Sequence, residues 1–194
     1  MLRSSKVNVD PTTVKLTQTA LFTALVFLFT MFVKIPMLNG YLHIGDAFIY
    51  LFAALGGGPW ALLAAALGAS MADVAGGFAL YALPTALIKA LNAVPFLIAA
   101  RNRDKILNWA TAVSLIPTTL ITIGGYFLAN WALFDKAYAW ADVPWLALQA
   151  ALSAVVFVIL ALALDRAQMK SRLQSFSHSP KAAPGAKRNS VSKV

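Results

Sequence analysis

The run from Leu16 to Val33 is 18 residues long and carries no charge. A helix needs about 20 apolar residues to cross the hydrocarbon of a bilayer. Arg3, Lys6 and Lys15 precede the run, as they would a secretory leader. Lys34-Ile35-Pro36 at its end is no small-residue cleavage site, however, so a retained span is the expected reading. Further apolar segments follow: Ala47 to Met71, Tyr81 to Ala100, Leu107 to about Ala132, and Val143 to Leu164. Only 12% of the chain is charged and 60% is hydrophobic. Soluble domains carry about 25% charged residues, so lipid is the expected solvent.

The segment from Ala47 to Met71 is interrupted by Gly56-Gly57-Gly58-Pro59. Three glycines and a proline inside one helix would cost several kcal/mol (about 1 per Gly and 3 for Pro). Two short helices joined by a tight turn fit better, and the count becomes six. With the N-terminus in the cytoplasm, six spans place 13 of the 16 basic residues on the cytoplasmic side. Lys34 and Lys136 fall outside, and Lys89 lies within a helix. Five spans would set Arg101–Lys105 against the N-terminal basic residues. The positive-inside rule therefore favours six. The expected fold class is an all-α integral membrane bundle of six transmembrane helices, both termini cytoplasmic. It divides into a cytoplasmic segment 1–15, a membrane domain 16–168 and a basic tail 169–194. The tail is expected to be disordered. It is read as a solvated segment, with contact to anionic headgroups as the alternative. A net charge of +9 suggests nucleic acid in a soluble protein. Here the basic residues sit at membrane edges, so membrane lipid is the expected partner and nucleic acid is not.

Several chemistries are excluded. The chain has no cysteine and no glutamate, and its only histidines are His43 and His178. Neither a phosphate-cradling G-x-x-x-x-G-K-[ST] loop nor an H-E-x-x-H zinc helix occurs. A hydrolase needs a nucleophile, a base and an orienting group. Ser70 and Ser153 have no histidine at hand within the membrane. The chain is expected not to be an enzyme, with no metal and no cofactor. Uphill transport would draw its energy from a partner or an ion gradient.

The polar residues inside spans carry the functional information. Lys89 lies eight residues past Tyr81, about 12 Å along the helix. An ammonium at that depth is expensive and marks function by default. Tyr81, Thr85, Lys89 and Asn92 share a helix face. That face is expected to look into a cavity open to the outside. The structural alternative is that Lys89 pairs with an aspartate such as Asp73 to hold the bundle. Asn39, Tyr41, His43 and Asp46 cluster before the second helix, and Asp73 precedes the fourth. His43 titrates near neutral pH if accessible, or else serves as a cap or interface residue. Asp46 is also a candidate N-cap. Asn130, Trp131, Trp140, Trp145 and Gln149 surround the last outer loop around Asp135, Lys136 and Asp142. The tryptophans read first as an interfacial belt, with one or two stacking on an aromatic ligand as the alternative. Small-residue rows, Ala20/Ala24 on the first helix and Ala61/Ala65/Ala69 with Ala64/Gly68 on the third, suit close helix packing in lipid.

Taken in order, several segments resemble a known family. They are Asn39-Gly40-Tyr41-Leu42-His43-Ile44-Gly45-Asp46, Gly57-Gly58-Pro59, Gly68-Ala69-Ser70-Met71-Ala72-Asp73, and Tyr81-Ala82-Leu83-Pro84-Thr85 with Ile88-Lys89. The family is the substrate-binding (S) components of energy-coupling factor (ECF) transporters, closest to the riboflavin-type subgroup of unassigned specificity. The resemblance runs from about Leu16 to Leu164. It implies six helices, a vitamin or precursor bound from outside, and no ATP site in the chain itself. It also implies as partners a transmembrane coupling protein and two cytoplasmic ATPases, in a bacterial-type plasma membrane. The family's A-x-x-x-A, which meets the coupling protein, corresponds to Ala20 and Ala24. Its ligand-holding positions correspond to Asn39 through Asp46 and to Tyr81, Thr85 and Lys89. The long basic tail is not part of the family pattern. Two other readings stand beside this one: a solitary transporter or channel, and a ligand-free assembly subunit. The identity of the ligand stays open between anionic, cationic and neutral rings.

Overall fold

The computed structural model describes residues 10–37, 40–101 and 103–177. Asn39 and His178 lie outside the described residues, as does the tail beyond Ser177. The chain is almost entirely helical. Helix α1 (Pro11–Met31) is followed by a short antiparallel hairpin of β1 (Lys34–Met37) and β2 (Gly40–His43). Then come α2 (Asp46–Ala54), α3 (Pro59–Ala75) and a 3-10 turn, Ala79–Tyr81, leading into α4 (Ala82–Ala99). A short α5 (Trp109–Val113) runs into α6 (Leu115–Leu133), and α7 (Lys136–Arg166) and α8 (Met169–Ser177) complete the order.

Four helical stretches are long and apolar enough to cross a membrane: Pro11–Met31, Ala79–Ala99, Trp109–Leu133 and Lys136–Arg166. Helix α3 is a shorter apolar helix. Their outward faces are apolar. Leu21 and Leu28 on α1, Leu63 and Leu67 on α3, Leu83, Leu87 and Leu91 on α4, Leu120 on α6 and Ile159 on α7 are all exposed. In water such a continuous apolar surface would aggregate; in lipid it is the solvated face.

Helix α2 differs from all of these. Each of its nine residues is buried. At about 1.5 Å per residue it is roughly 14 Å long, half the thickness of the hydrocarbon. It is a central plug rather than a lipid-facing rod. Phe52 stacks on Phe22 of α1, and Tyr50 stacks on Phe96 of α4 with ring centroids 4.7 Å apart. The glycine-rich interruption is a tight turn, as the sequence implies. Gly56 (φ 94°) and Gly58 (φ 60°) take the left-handed conformations that glycine allows. Pro59 then opens α3, where its missing N–H is harmless.

Small residues set the closest helix approach. A Cβ at Gly68 would stand 2.7 Å from the Thr23 carbonyl oxygen and 2.8 Å from Val26 Cβ. Only glycine lets α3 meet α1 there. Ala61, Ala64, Ala65 and Ala69 are buried on the same helix, which places the α3 rows in packing. Ala20 and Ala24 lie on the exposed side of α1.

The two ends of the bundle are chemically distinct. At one end, Lys15 Nζ donates to the Gly56 carbonyl at 3.1 Å, which sets the start of α1 beside the α2–α3 turn. At the same end, Asp165 near the close of α7 accepts from the N–H groups of Ile106 (2.7 Å) and Leu107 (2.9 Å). Lys170 of α8 donates to the Ala100 carbonyl at the close of α4, where a cation suits both the free carbonyls and the helix dipole. Burial pushes the Lys170 ammonium down from its ordinary value. Arg101, Arg103, Lys105, Arg166 and Arg172 belong to this end by their place in the chain. The hairpin occupies the other end.

Three expectations are corrected. The polar stretch before α2 contains a β-hairpin, with Lys34 opposite His43 and Pro36 opposite Tyr41. Its extended residues, Ile35, Tyr41 and Leu42, are good strand formers. The loop expected through Asp142 is helical, because α7 starts at Lys136 under an Asp135 N-cap that accepts from the Tyr138 N–H at 2.8 Å. Finally, residues 169–177, assigned to the tail, form α8. That stretch has no glycine or proline; the Pro- and Ala-rich composition begins after it.

Candidate functional site

The hairpin end holds a cavity, open at its mouth, with the mixed polar and apolar lining usual for small-molecule sites. Tyr41, Leu42 and His43 of β2 form one wall. Asp73 at the end of α3, Phe78, Tyr81 and Thr85 form the second. Tyr126 of α6 with Asp142, Trp145, Leu146 and Gln149 of α7 completes the lining.

Two carboxylates face this space, each held by a neutral donor. The Tyr41 hydroxyl donates to Asp73 Oδ1 at 2.7 Å. Burial and then the Asp73 carboxylate push the Tyr41 phenol well above its ordinary pKa, so it stays a donor at all physiological pH. Asp142 Oδ2 accepts from Asn130 Nδ2 at 2.8 Å, and Asn130 Oδ1 accepts from the Tyr81 hydroxyl at 2.6 Å. A chain of three side chains thus ties the mouth of α4 to α6 and α7. Thr85 and Tyr126 share a hydrogen bond of 3.0 Å across the cavity floor.

Beneath the floor the chemistry changes. Lys89 Nζ sits 2.7 Å from Asp46 Oδ1 and 2.8 Å from Oδ2, with both side chains fully buried. It also lies 5.1 Å from the centre of the Tyr126 ring, which roofs it. Gln149 Nε2 approaches Asp46 Oδ2 at 3.5 Å. The partner of Lys89 is therefore Asp46 and not Asp73. Asp46 opens α2 but makes no capping hydrogen bond there, because its carboxylate is turned to Lys89. One turn lower, Asn92 donates to Thr122 Oγ1 at 2.9 Å.

His43 joins the two levels. Its ring lines the cavity, is buried, and accepts from the Gly45 N–H at 3.2 Å through Nδ1. Burial lowers its pKa to about 4; Asp46 opposes that shift and Lys89 adds to it. The imidazole is therefore neutral at pH 7. A Cβ on Gly45 would collide with the Thr30 hydroxyl of α1, so glycine lets the hairpin close onto the bundle.

Of the residues singled out from sequence, Tyr41, His43, Asp73, Tyr81, Thr85, Trp145 and Gln149 line the cavity. Asp46, Lys89 and Asn92 lie in the packed layer below it, and Asn39 lies outside the described residues. Phe78, Tyr126 and Leu146 lack any forecast, and Asp142 is placed by the helical start of α7. Tyr126 had a signal. Thr118, Thr122, Tyr126 and Asn130 recur every four residues along α6, a polar stripe that mirrors the one on α4. The two stripes are zipped together at Tyr81–Asn130, Thr85–Tyr126 and Asn92–Thr122.

An apolar-surfaced helical bundle with an open, mixed polar and aromatic cavity at one end defines a membrane-embedded small-molecule-binding protein. A family model described as "ECF-type riboflavin transporter, S component" matches residues 11–166, and the chain belongs to that family. No curated protein matches the chain significantly. S components are vitamin-binding membrane subunits of transporters and are not enzymes.

Proposed function

We propose that this chain is the substrate-binding subunit of an ECF importer, taking a vitamin or vitamin precursor from outside for uptake driven by ATP hydrolysis on partner subunits. The observation that carries this reading is the cavity under the hairpin, at the end away from Lys15, Arg101, Arg103, Lys105 and Arg166. By the positive-inside rule the basic end faces the cytoplasm and the cavity faces outward. The topology is six membrane-embedded helical segments, with both termini cytoplasmic in a bacterial-type plasma membrane. Helix α2 covers only part of the depth, and the hairpin closes the outer end above it. The chain divides into a cytoplasmic segment 1–15, a membrane domain 16–168 and a basic tail after it. The ligand is held by Tyr41, His43, Asp73, Tyr81 and Thr85, with Asp46, Lys89 and Asn92 supporting them from below; the sequence pattern adds Asn39 to this set.

The partners are a transmembrane coupling protein and two cytoplasmic ATPases. The chain has no phosphate-cradling loop of its own. Ala20 and Ala24, exposed on α1, offer a small-residue face on which another helix can pack closely. The open cavity also favours this reading over a ligand-free assembly subunit, which calls for a filled outer end.

The test is mass spectrometry of small molecules released by denaturing the detergent-purified protein. One vitamin or precursor at near-equimolar amount is the expected result. No ligand, even after incubation with a vitamin mixture, would move the chain to a structural role. Transport in proteoliposomes without partners would make it a solitary carrier.

A further inference from the structure

The charges around the cavity do not balance. Among the described residues the one buried ion pair is Lys89–Asp46, and it lies below the floor. That leaves Asp73 and Asp142 facing the space with neutral donors only. The remaining nearby ammonium, Lys34, lies 4.8 Å over the Tyr41 ring and near Met31 Sδ. His43 is uncharged at neutral pH, because burial disfavours its protonated form.

Asp73 is only 8% exposed, and the groups that reach its carboxylate are the neutral hydroxyls of Tyr41 and Thr85. A buried carboxylate without a counter-charge is costly. Elsewhere in this protein the same problem, at Asp46, is solved by an internal lysine. Among the described residues no lysine forms an ion pair with Asp73, and the side chain borders an open cavity instead. The walls beside it are aromatic: Tyr41 packs edge-on against Phe78 with ring centres 5.2 Å apart, and Trp145 lines the same space. Carboxylate together with aromatic faces is the chemistry that receives an organic cation.

We propose that the cavity selects a small aromatic ligand bearing a positive charge, with the charge beside Asp73 and Asp142 and the ring against Tyr41, Phe78 and Trp145. This rests on the binding-subunit reading and narrows it, because the cavity disfavours anionic ligands and has no charge with which to prefer neutral ones.

The experiment uses the full chain in lipid nanodiscs and three probes read by calorimetry. They are thiamine (a fixed aromatic cation), riboflavin (a neutral ring) and flavin mononucleotide (the same ring with a phosphate). Thiamine should bind about tenfold or more tighter than riboflavin, with the phosphorylated ring weakest. Asp73→Asn removes the negative charge that faces the cation. It should weaken thiamine by about tenfold or more and riboflavin by a clearly smaller factor, so that the ratio of the two affinities falls. Asp142→Asn carries the same expectation and serves if Asp73→Asn fails to fold, as judged by thermal melting. Tightest binding of riboflavin or its phosphate, or a thiamine affinity indifferent to both substitutions, overturns the cation proposal and leaves the binding-subunit reading intact. Binding of none of the three overturns the proposal and counts against that reading as well.

Discussion

Asp46 and Asp73 are both buried aspartates on helices that end beneath the hairpin, yet their surroundings differ. Asp46 is gripped through both oxygens by Lys89 in a layer with no open space. Asp73 has one oxygen on the Tyr41 hydroxyl and borders a cavity. The lower layer is held within the chain: charge meets charge, and the Asn92 amide donates to Thr122, while its own oxygen is left without a partner. The upper layer is held by neutral donors and stays open. The contrast separates what holds the bundle from what is left for a ligand. It also sets Lys89, the most conspicuous residue of the sequence, in the lower layer, paired with Asp46.

The largest effect should come from unbalancing the lower layer. Lys89→Met strands the Asp46 carboxylate, and breaking a buried pair from one side costs about 3–5 kcal/mol. Thermal unfolding in detergent should drop accordingly. Adding Asp46→Asn should recover most of the loss, since removing both charges is often close to neutral. A Lys89→Met protein that melts normally but fails to bind ligand would return Lys89 to the cavity.

Next in size is a pH effect at His43, which sits between the layers. Its folded pKa of about 4 lies below the ordinary value of 6.5. Above pH 6.5 both folded and unfolded forms are neutral there, and stability is full. As pH falls below 6.5 the unfolded chain takes up the proton first, so stability declines until pH about 4, where the folded form titrates too. At about 1.4 kcal/mol per unit the loss is roughly 3 kcal/mol. His43→Gln should flatten the stability profile over that window. An unchanged profile would mean that His43 is not the group responsible.

A smaller change belongs to the upper layer. Tyr41→Phe removes the phenol that orients Asp73, a hydrogen bond to a charged group worth about 1.5–3 kcal/mol. Because Asp73 faces a cavity that water can fill, the stability loss should sit at the lower end, with a clear loss of ligand affinity. A stability loss as large as that of Lys89→Met would erase the distinction between the layers.

How far the sequence reveals this arrangement depends on which physical signal each feature carries. Helices long enough to span lipid announce themselves by length and composition, as from Leu16 to Val33. The Gly56–Pro59 turn announces itself by helix-breaking residues. The intramembrane lysine announces itself by its cost. Its partner was not legible, because Asp46 and Asp73 are both reachable by a flexible lysine stem and only the packing of α2 inside the bundle decides between them. The hairpin was hard to read because its strands are only four residues long, Pro36 stands inside the first, and Gly40 opens the second, paired with Met37. Tyr126 lay in an apolar run, and its role emerges only when the i+4 stripe on α6 is set against the one on α4.

The smallest effect on stability tests the outer surface against both layers. Ala20 and Ala24 are exposed on α1, on the side away from its buried residues Thr19, Phe22, Val26 and Thr30. Replacing both by Phe adds bulk on a face that is exposed among the described residues, so the melting temperature should shift by no more than about 0.5 kcal/mol would produce. Ligand affinity should also hold, because neither residue lines the cavity. The same change should abolish co-purification with the coupling protein, since two phenyl rings prevent the close backbone approach that an A-x-x-x-A face permits. Retained assembly with impaired binding would place the site on α1 and not under the hairpin. Lost assembly with intact binding would show that capture and coupling occupy separate surfaces of one small bundle.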